Sequence, residues 1–331
     1  MNATYDVVGL GNAIVDVIAK SDDAFLQRHA LAKGAMTLVS AQQSERLYSD
    51  MGPAIEASGG SAANTMVGVA SLGGKAAYMG RVFADQLGQV FRHDIRAAGV
   101  EFATPAAKSG PPTARCLIFV TPDAQRTMQT YLGACVEFSP DDLDPAVIEG
   151  AQISYLEGYL WDPPRAKEAF REAMRIARAK HRRVALTLSD AFCVDRHRAE
   201  FRELIDTSLD IVFANESEIL SLWQVASFDE AVRACQAHPR RIWAITRSEK
   251  GSVVIGDGLA THVAAERIEK VVDTTGAGDL YASGFLFGLS RARPLIECAR
   301  LGHICAAEVI SHYGPRPEVA LATLAAAKLG G

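Results

Sequence analysis

Nowhere in its 331 residues does this chain stay apolar for the roughly 18 residues that a membrane-spanning helix requires. No membrane association is therefore expected. The first strand-like run is interrupted at once by Tyr5-Asp6, without the basic stretch and apolar core of a secretion signal. The chain also lacks any CxxC pair. Its six cysteines, at 116, 135, 193, 235, 298 and 305, are scattered, which fits a reducing cytoplasm and no structural zinc. Cys298 and Cys305, one helical heptad apart, read as core residues. An excess of positive charge is missing too: 34 Lys and Arg against 39 Asp and Glu leave a net charge of −5. That balance argues against nucleic acid or an anionic membrane as partner. The one basic cluster, Arg178 to Arg183, closes a helical pattern opened by Pro163-Pro164, where cations suit the helix dipole. Asn215-Glu216-Ser217 matches a glycosylation acceptor but has no meaning in a chain without a secretion signal.

What is present is a regular alternation. Buried-strand runs at Asp6–Leu10, Ala76–Gly80, Ile153–Glu157, Val184–Leu188, Ile211–Ala214, Ile242–Thr246 and Ser252–Ile255 alternate with helical patterns. Those patterns are Ala62–Leu72, Gln86–Ala98, Arg165–Lys180, Asp229–Ala237 and a block from Gly278 to His312. Such a rhythm predicts an α/β fold, a three-layer α/β/α arrangement around a mostly parallel sheet. With no repeat and no low-complexity linker, residues 1–331 read as one domain. Two stretches break the rhythm. Asn12–Lys20 and Gly34–Ser40 read as β without a crossover-length helix between them, and Thr121-Pro122-Asp123-Ala124 turns a second β pair into a hairpin. Together, roughly residues 12–40 and 110–133 predict a small β-sheet lid over a site, or else an oligomer contact.

Two glycine-rich stretches carry no chemistry. "GLGNAI" from Gly9 has Ile14 at the third glycine position of a dinucleotide fingerprint, and "GVASLGGKA" has P-loop residues at the wrong spacing. The segment "VVDTTGAGDLYASGFLFGL", Val271 to Leu289, is different. Apolar spacing at Tyr281, Phe285 and Leu289 starts a buried helix near Ala277 or Gly278. Its first turn offers unpaired N–H groups and a positive dipole end, and small residues there admit an anion to the backbone. Read alone, Thr275 or Asp279 is an ordinary helix-start residue. Beside an anion hole, Asp279 makes sense as the acceptor of a proton from a hydroxyl that attacks a phosphate.

"DTTGAGDLYASGF" resembles the signature of the ribokinase-like (PfkB) family of carbohydrate and nucleoside kinases. "GGSAANTMVGVASLGG" (Gly59–Gly74) and "NESE" (Asn215–Glu218) resemble two further motifs of that family, in the expected order. The resemblance implies that Asp279 is the general base and that the N–H groups of Gly276, Ala277 and Gly278 form the anion hole. It implies that Asn12, Asp16, Gly59, Gly60 and Asn64 line the acceptor site. Asn215, Glu218, Thr246, Arg247, Gly251, Gly278 and His303 would line ATP, with Glu218 holding Mg²⁺ through water. Read without the resemblance, Glu218 is a capping residue behind Asn215, and Thr246–Gly251 is a plain turn. Arg126, on the lid hairpin, is either a cis arginine for the transferring phosphate or a surface cation. A K⁺ site near Asp273, Thr275 and the loop around Gly314 is typical of the family.

Within the family, "ECARLGHICAAEVISHYGPRPE" (Glu297–Glu318) and "RTMQTYLGA" are similar to the adenosine kinases. That likeness places Leu132 against an adenine and Tyr159 as a ring stacked on the base. "GAMTLV" (Gly34–Val39) departs from it, lacking a glutamine to bond adenine. The expected reaction is ATP-dependent phosphorylation of a primary hydroxyl, adenosine to AMP. Ribose, fructose or a ketodeoxy sugar acid stand as alternatives, and a sensor without catalysis is a third. The lid leaves monomer and homodimer both open.

Overall fold

The computed structural model describes residues 3–123 and 125–329. Thirteen strands run through the chain: β1 Tyr5–Leu10, β2 Ile14–Lys20, β3 Met36–Leu38, β4 Ala54–Gly59, β5 Ala76–Met79, β6 Ala114–Val120 and β7 Arg126–Tyr131, then β8 Ala151–Glu157, β9 Arg183–Thr187, β10 Ile211–Asn215, β11 Ile242–Thr246, β12 Ser252–Gly256 and β13 Leu259–Val263. Eight of them form one sheet in the order β13-β12-β11-β10-β9-β8-β1-β5. It is parallel except for β12 and β13, which close the edge as hairpins. Alternation along each strand sends side chains to opposite faces. Val7 and Tyr155 enter one apolar core with Met66 and Phe285. Val8 and Leu156 enter the other with Phe170 and Phe201. Helices therefore cover both faces, which is the three-layer α/β/α arrangement expected from the sequence.

The remaining five strands form a smaller sheet, β3-β7-β6-β2-β4. The β6–β7 hairpin is antiparallel, with Arg126 opposite Val120; Ala124, in its turn, lies outside the described residues. This sheet takes in β4, outside both stretches that break the sequence rhythm. Ala54 and Ile55 are exposed and only Ser58 and Gly59 are buried, so β4 shows no alternation to read. A short helix, Asp23–Arg28, separates β2 from β3. The helical block from Gly278 is two helices, Ala277–Ser290 and Leu295–Val309, parted where Pro294 caps the second. They meet nearly backbone to backbone: a Cβ on Gly284 would lie 2.5 Å from the carbonyl carbon of Leu301, and one on Gly302 would lie 2.7 Å from the Tyr281 oxygen.

Candidate active site

In parallel sheets of this kind, ligands bind beyond the carboxyl ends of strands where the strand order reverses. Here β1 separates β5 from β8, so the reversal lies between β1 and β8. Glu157 ends β8 and Asn12 follows β1, and Asn12 Nδ2 donates to Glu157 Oε1 at 2.7 Å. The other oxygen, Oε2, accepts from Ala62 N at 2.9 Å, at the start of the helix Ser61–Ser71. Gly11 leaves room for this carboxylate, since a Cβ there would come within 2.3 Å of Oε2. Glu157 is 1 % exposed, and burial pushes its carboxyl up to about 7.

From the first turn of that same helix, Ser61 Oγ donates to Asp279 Oδ1 at 2.6 Å and Asn64 Nδ2 to Oδ2 at 3.1 Å. Two motifs more than 200 residues apart thus converge on one carboxylate. Burial raises the Asp279 carboxyl above its usual range, against the two hydrogen bonds and the Arg316 charge. Asp16, on β2, belongs to the same charge cluster. A Cβ on Gly59 would lie 2.4 Å from its Oδ2, and one on Gly60, at φ 97°, would lie 2.2 Å from the Asn12 carbonyl. These two glycines let the start of the helix close around Asn12 and Asp16. Burial raises Asp16 to about 6, opposed by Arg316 and Arg126.

Beyond Asp279 opens a cavity of about 990 Å³. Gly276, in the left-handed region at φ 80°, caps the helix Ala277–Ser290. Leu280 N already bonds the Gly276 carbonyl, and Ala277 N turns back to Thr274 O at 3.3 Å. Between Gly276 and Leu280, the N–H groups of Gly276, Gly278 and Asp279 are left without a backbone acceptor among the described residues. A Cβ on Gly278 would meet nothing within 4 Å. Asn215, Glu218, Thr246, Gly251 and His303 line the same cavity. His303 bonds Ser252 Oγ at 2.9 Å, and burial pulls its ring down to about 4, leaving it neutral. Asn215 and Glu218 form a reciprocal capping box on the helix Glu216–Trp223. Glu218 is 4 % exposed and its carboxyl is pushed up to about 7 by burial. Both its oxygens are engaged by Asn215, and among the described residues no cluster of three metal-ligating side chains exists. That donor set fits Mg²⁺ held through water, not by direct ligation.

Four other expected site residues take these places. Tyr159 lines the cavity on the side of Asn215 and Glu218, with its hydroxyl donating to Ser189 O at 3.1 Å. No residue of the five-stranded sheet lines that cavity among the described residues. Arg247 turns out of the cavity to pair with Glu216 at 2.9 Å and to cover the Phe228 ring at 3.7 Å. Leu132 sits at the far end of β7 from Arg126, at the start of a 3-10 turn, and does not line the cavity. Arg126 is no surface cation. Its side chain is 8 % exposed, with Nη1 2.8 Å from Asp273 Oδ2 and 3.0 Å from Thr275 Oγ1.

Two members of the cluster escape sequence reasoning. Glu157 carries a weak signal, a lone carboxylate at the carboxyl end of an apolar strand. Arg316, in "GPRPE", carries none. It donates to Ser58 Oγ at 3.1 Å while facing Asp16 and Asp279, and burial pulls its guanidinium down to about 10.

A buried carboxylate at a helix start with free N–H groups, facing a cavity, has the chemistry to deprotonate a hydroxyl as it attacks a phosphate. The comparisons agree with that chemistry. The profile of the pfkB family carbohydrate kinases matches residues 54–320. A probable sugar kinase from Rhizobium etli CFN 42 superposes with a TM-score of 0.92 at 52% identity, over 99% of each chain. Adenosine kinase from Sinorhizobium meliloti superposes with a TM-score of 0.91 at 55% identity, over 99% of this chain and 100% of its own. Adenosine kinase 2 of Arabidopsis thaliana is 25% identical over 338 residues, 95% of this chain and 96% of its own.

Proposed function

The chain belongs to the pfkB family of carbohydrate kinases, and on that premise we propose that it phosphorylates the primary hydroxyl of adenosine with ATP. The observation that carries the chemistry is the convergence of Ser61 and Asn64 on Asp279 at the mouth of the 277–290 helix. Full-length likeness to the Sinorhizobium meliloti adenosine kinase supports the nucleoside as acceptor.

Asn12 and Asp16 hold the acceptor's ribose hydroxyls, each charge-assisted hydrogen bond contributing about 1.5–3 kcal/mol. Asp279 is the general base. Ser61 and Asn64 occupy one site on each of its oxygens, so lone pairs remain for the hydroxyl proton. Its raised carboxyl is a better base near neutral pH than an exposed aspartate. In a loose phosphoryl-transfer transition state the proton moves late, so holding the hydroxyl in line matters more than base strength. The N–H groups of Gly276 and Gly278 face the transferred phosphoryl oxygens, and the helix dipole adds to them. Glu218 would hold Mg²⁺ through water, and the ion would there supply positive charge against the phosphates.

The Rhizobium etli relative favours a second reading, a sugar as acceptor. ADP release measured with adenosine, inosine, ribose, fructose and 2-keto-3-deoxygluconate separates the two. Adenosine is expected to give the highest kcat/KM. A sugar that outperforms it assigns the chain to the sugar kinases, and no turnover with any acceptor leaves a binding protein.

A further inference from the structure

The family resemblance puts a monovalent cation among Asp273, Thr275 and the loop around Gly314. The residues present do not fit one. A carboxylate offers about four lone-pair sites, and Asp273 already accepts four donors. Oδ1 accepts from Thr275 N at 3.1 Å and from Thr275 Oγ1 at 2.7 Å. Oδ2 accepts from Gly314 N at 3.0 Å and from Arg126 Nη1 at 2.8 Å. The Thr275 hydroxyl also receives Arg126 Nη1, at 3.0 Å. A K⁺ ion bound to this carboxylate would have to displace an N–H group, the Thr275 hydroxyl or the guanidinium.

We infer that Arg126 stands in for the monovalent cation, carrying its positive charge to the anion-hole loop on a strand of the small sheet. The inference rests on reading Gly276–Gly278 as the anion hole. Arg126 opens β7, whereas Asp273 and Thr275 lie two to four residues ahead of Ala277. A soluble ion is always available to such a loop; an arginine on the lid supplies charge only when the lid lies over the site. The chain therefore works without K⁺, and its anion hole is completed by closure of the small sheet.

The test compares K⁺, Na⁺ and tetramethylammonium at constant ionic strength, reading both ADP release and the thermal midpoint of the full chain without substrate. The wild type is expected to show the same turnover, within twofold, and the same midpoint in all three. In Arg126→Met, turnover in tetramethylammonium should fall about 10²-fold, the loss typical of one well-aimed electrostatic donor. Addition of K⁺ to that variant should restore part of the turnover and raise its midpoint, saturably. Arg126→Lys, which keeps the charge, should retain more activity than the methionine variant and remain indifferent to K⁺. Saturable K⁺ activation of the wild type or of Arg126→Lys overturns the inference, and so does an Arg126→Met variant indifferent to K⁺. The midpoint needs no acceptor, so a wrong substrate assignment leaves this test intact.

Discussion

Asp273 and Asp279 stand six residues apart, one before and one inside the start of the 277–290 helix, and their surroundings are opposites. Asp273 is enclosed by four donors, one of them an arginine, and has no capacity left for anything that arrives. Asp279 accepts two neutral side chains, is pushed up by burial, and faces a cavity. A buried charge that is fully paired fixes structure, whereas one left partly unpaired is available for chemistry.

The sharpest way to break this contrast is to neutralise each aspartate in turn. Asp279→Asn should lower kcat about 10²–10⁴-fold with acceptor binding retained by calorimetry. Unchanged turnover would remove the base. Asp273→Asn should show itself first in denaturant unfolding, because Arg126 is left as an uncompensated buried charge, a loss of about 3–5 kcal/mol. If its stability matched the wild type, the pair would be ornamental. Two glycines between these aspartates sharpen the contrast. Gly276→Ala places a side chain at φ 80°, 2.9 Å from Pro315 Cα. It should cost about 1–3 kcal/mol of stability along with activity. Gly278→Ala meets no neighbour, so its unfolding midpoint should be unchanged while the KM for ATP rises.

Acid should separate chemistry from stability. Glu157 and Glu218 take up protons near pH 7 and Asp16 near 6. As their charges are lost, kcat/KM should fall on going from pH 7.5 to 5.5. Stability runs the other way. These carboxyls titrate higher in the folded chain than in the unfolded one, so the folded state binds more protons in this window and gains stability as pH falls. His303, pulled down to about 4, opposes them, one group against three. A thermal midpoint that dropped between pH 7.5 and 5.5 would contradict the burial of these groups.

Much of this contrast was legible in the sequence. The alternation of strands and helices pointed to the three-layer sheet, because strands buried on both faces read as continuous apolar runs. Three motifs that resemble those of a kinase family picked out Asp279, Asn64 and Glu218, and for Asp279 the small residues beside it gave a reason of their own, since backbone approach to an anion demands them. What stayed hidden depends on partners distant in the chain. The burial of Arg126 follows from Asp273, some 150 residues on, and Glu157 works through Asn12 and Ala62. Tyr159 was assigned as a stacking ring by family likeness, and the bond of its hydroxyl to the Ser189 carbonyl just beyond β9 carries no local signal. β4 exposes its one large apolar residue, Ile55, and satisfies no period.

The contact of Gly284 with Leu301 and of Gly302 with Tyr281 has a mechanical corollary. Two helices clamped that tightly leave the shaft carrying Asp279 with no slack, since any slide would drive backbone into backbone. Asp279 is thus the fixed jaw of a vice. Any stroke in the catalytic cycle therefore falls to parts of the chain other than this helix pair.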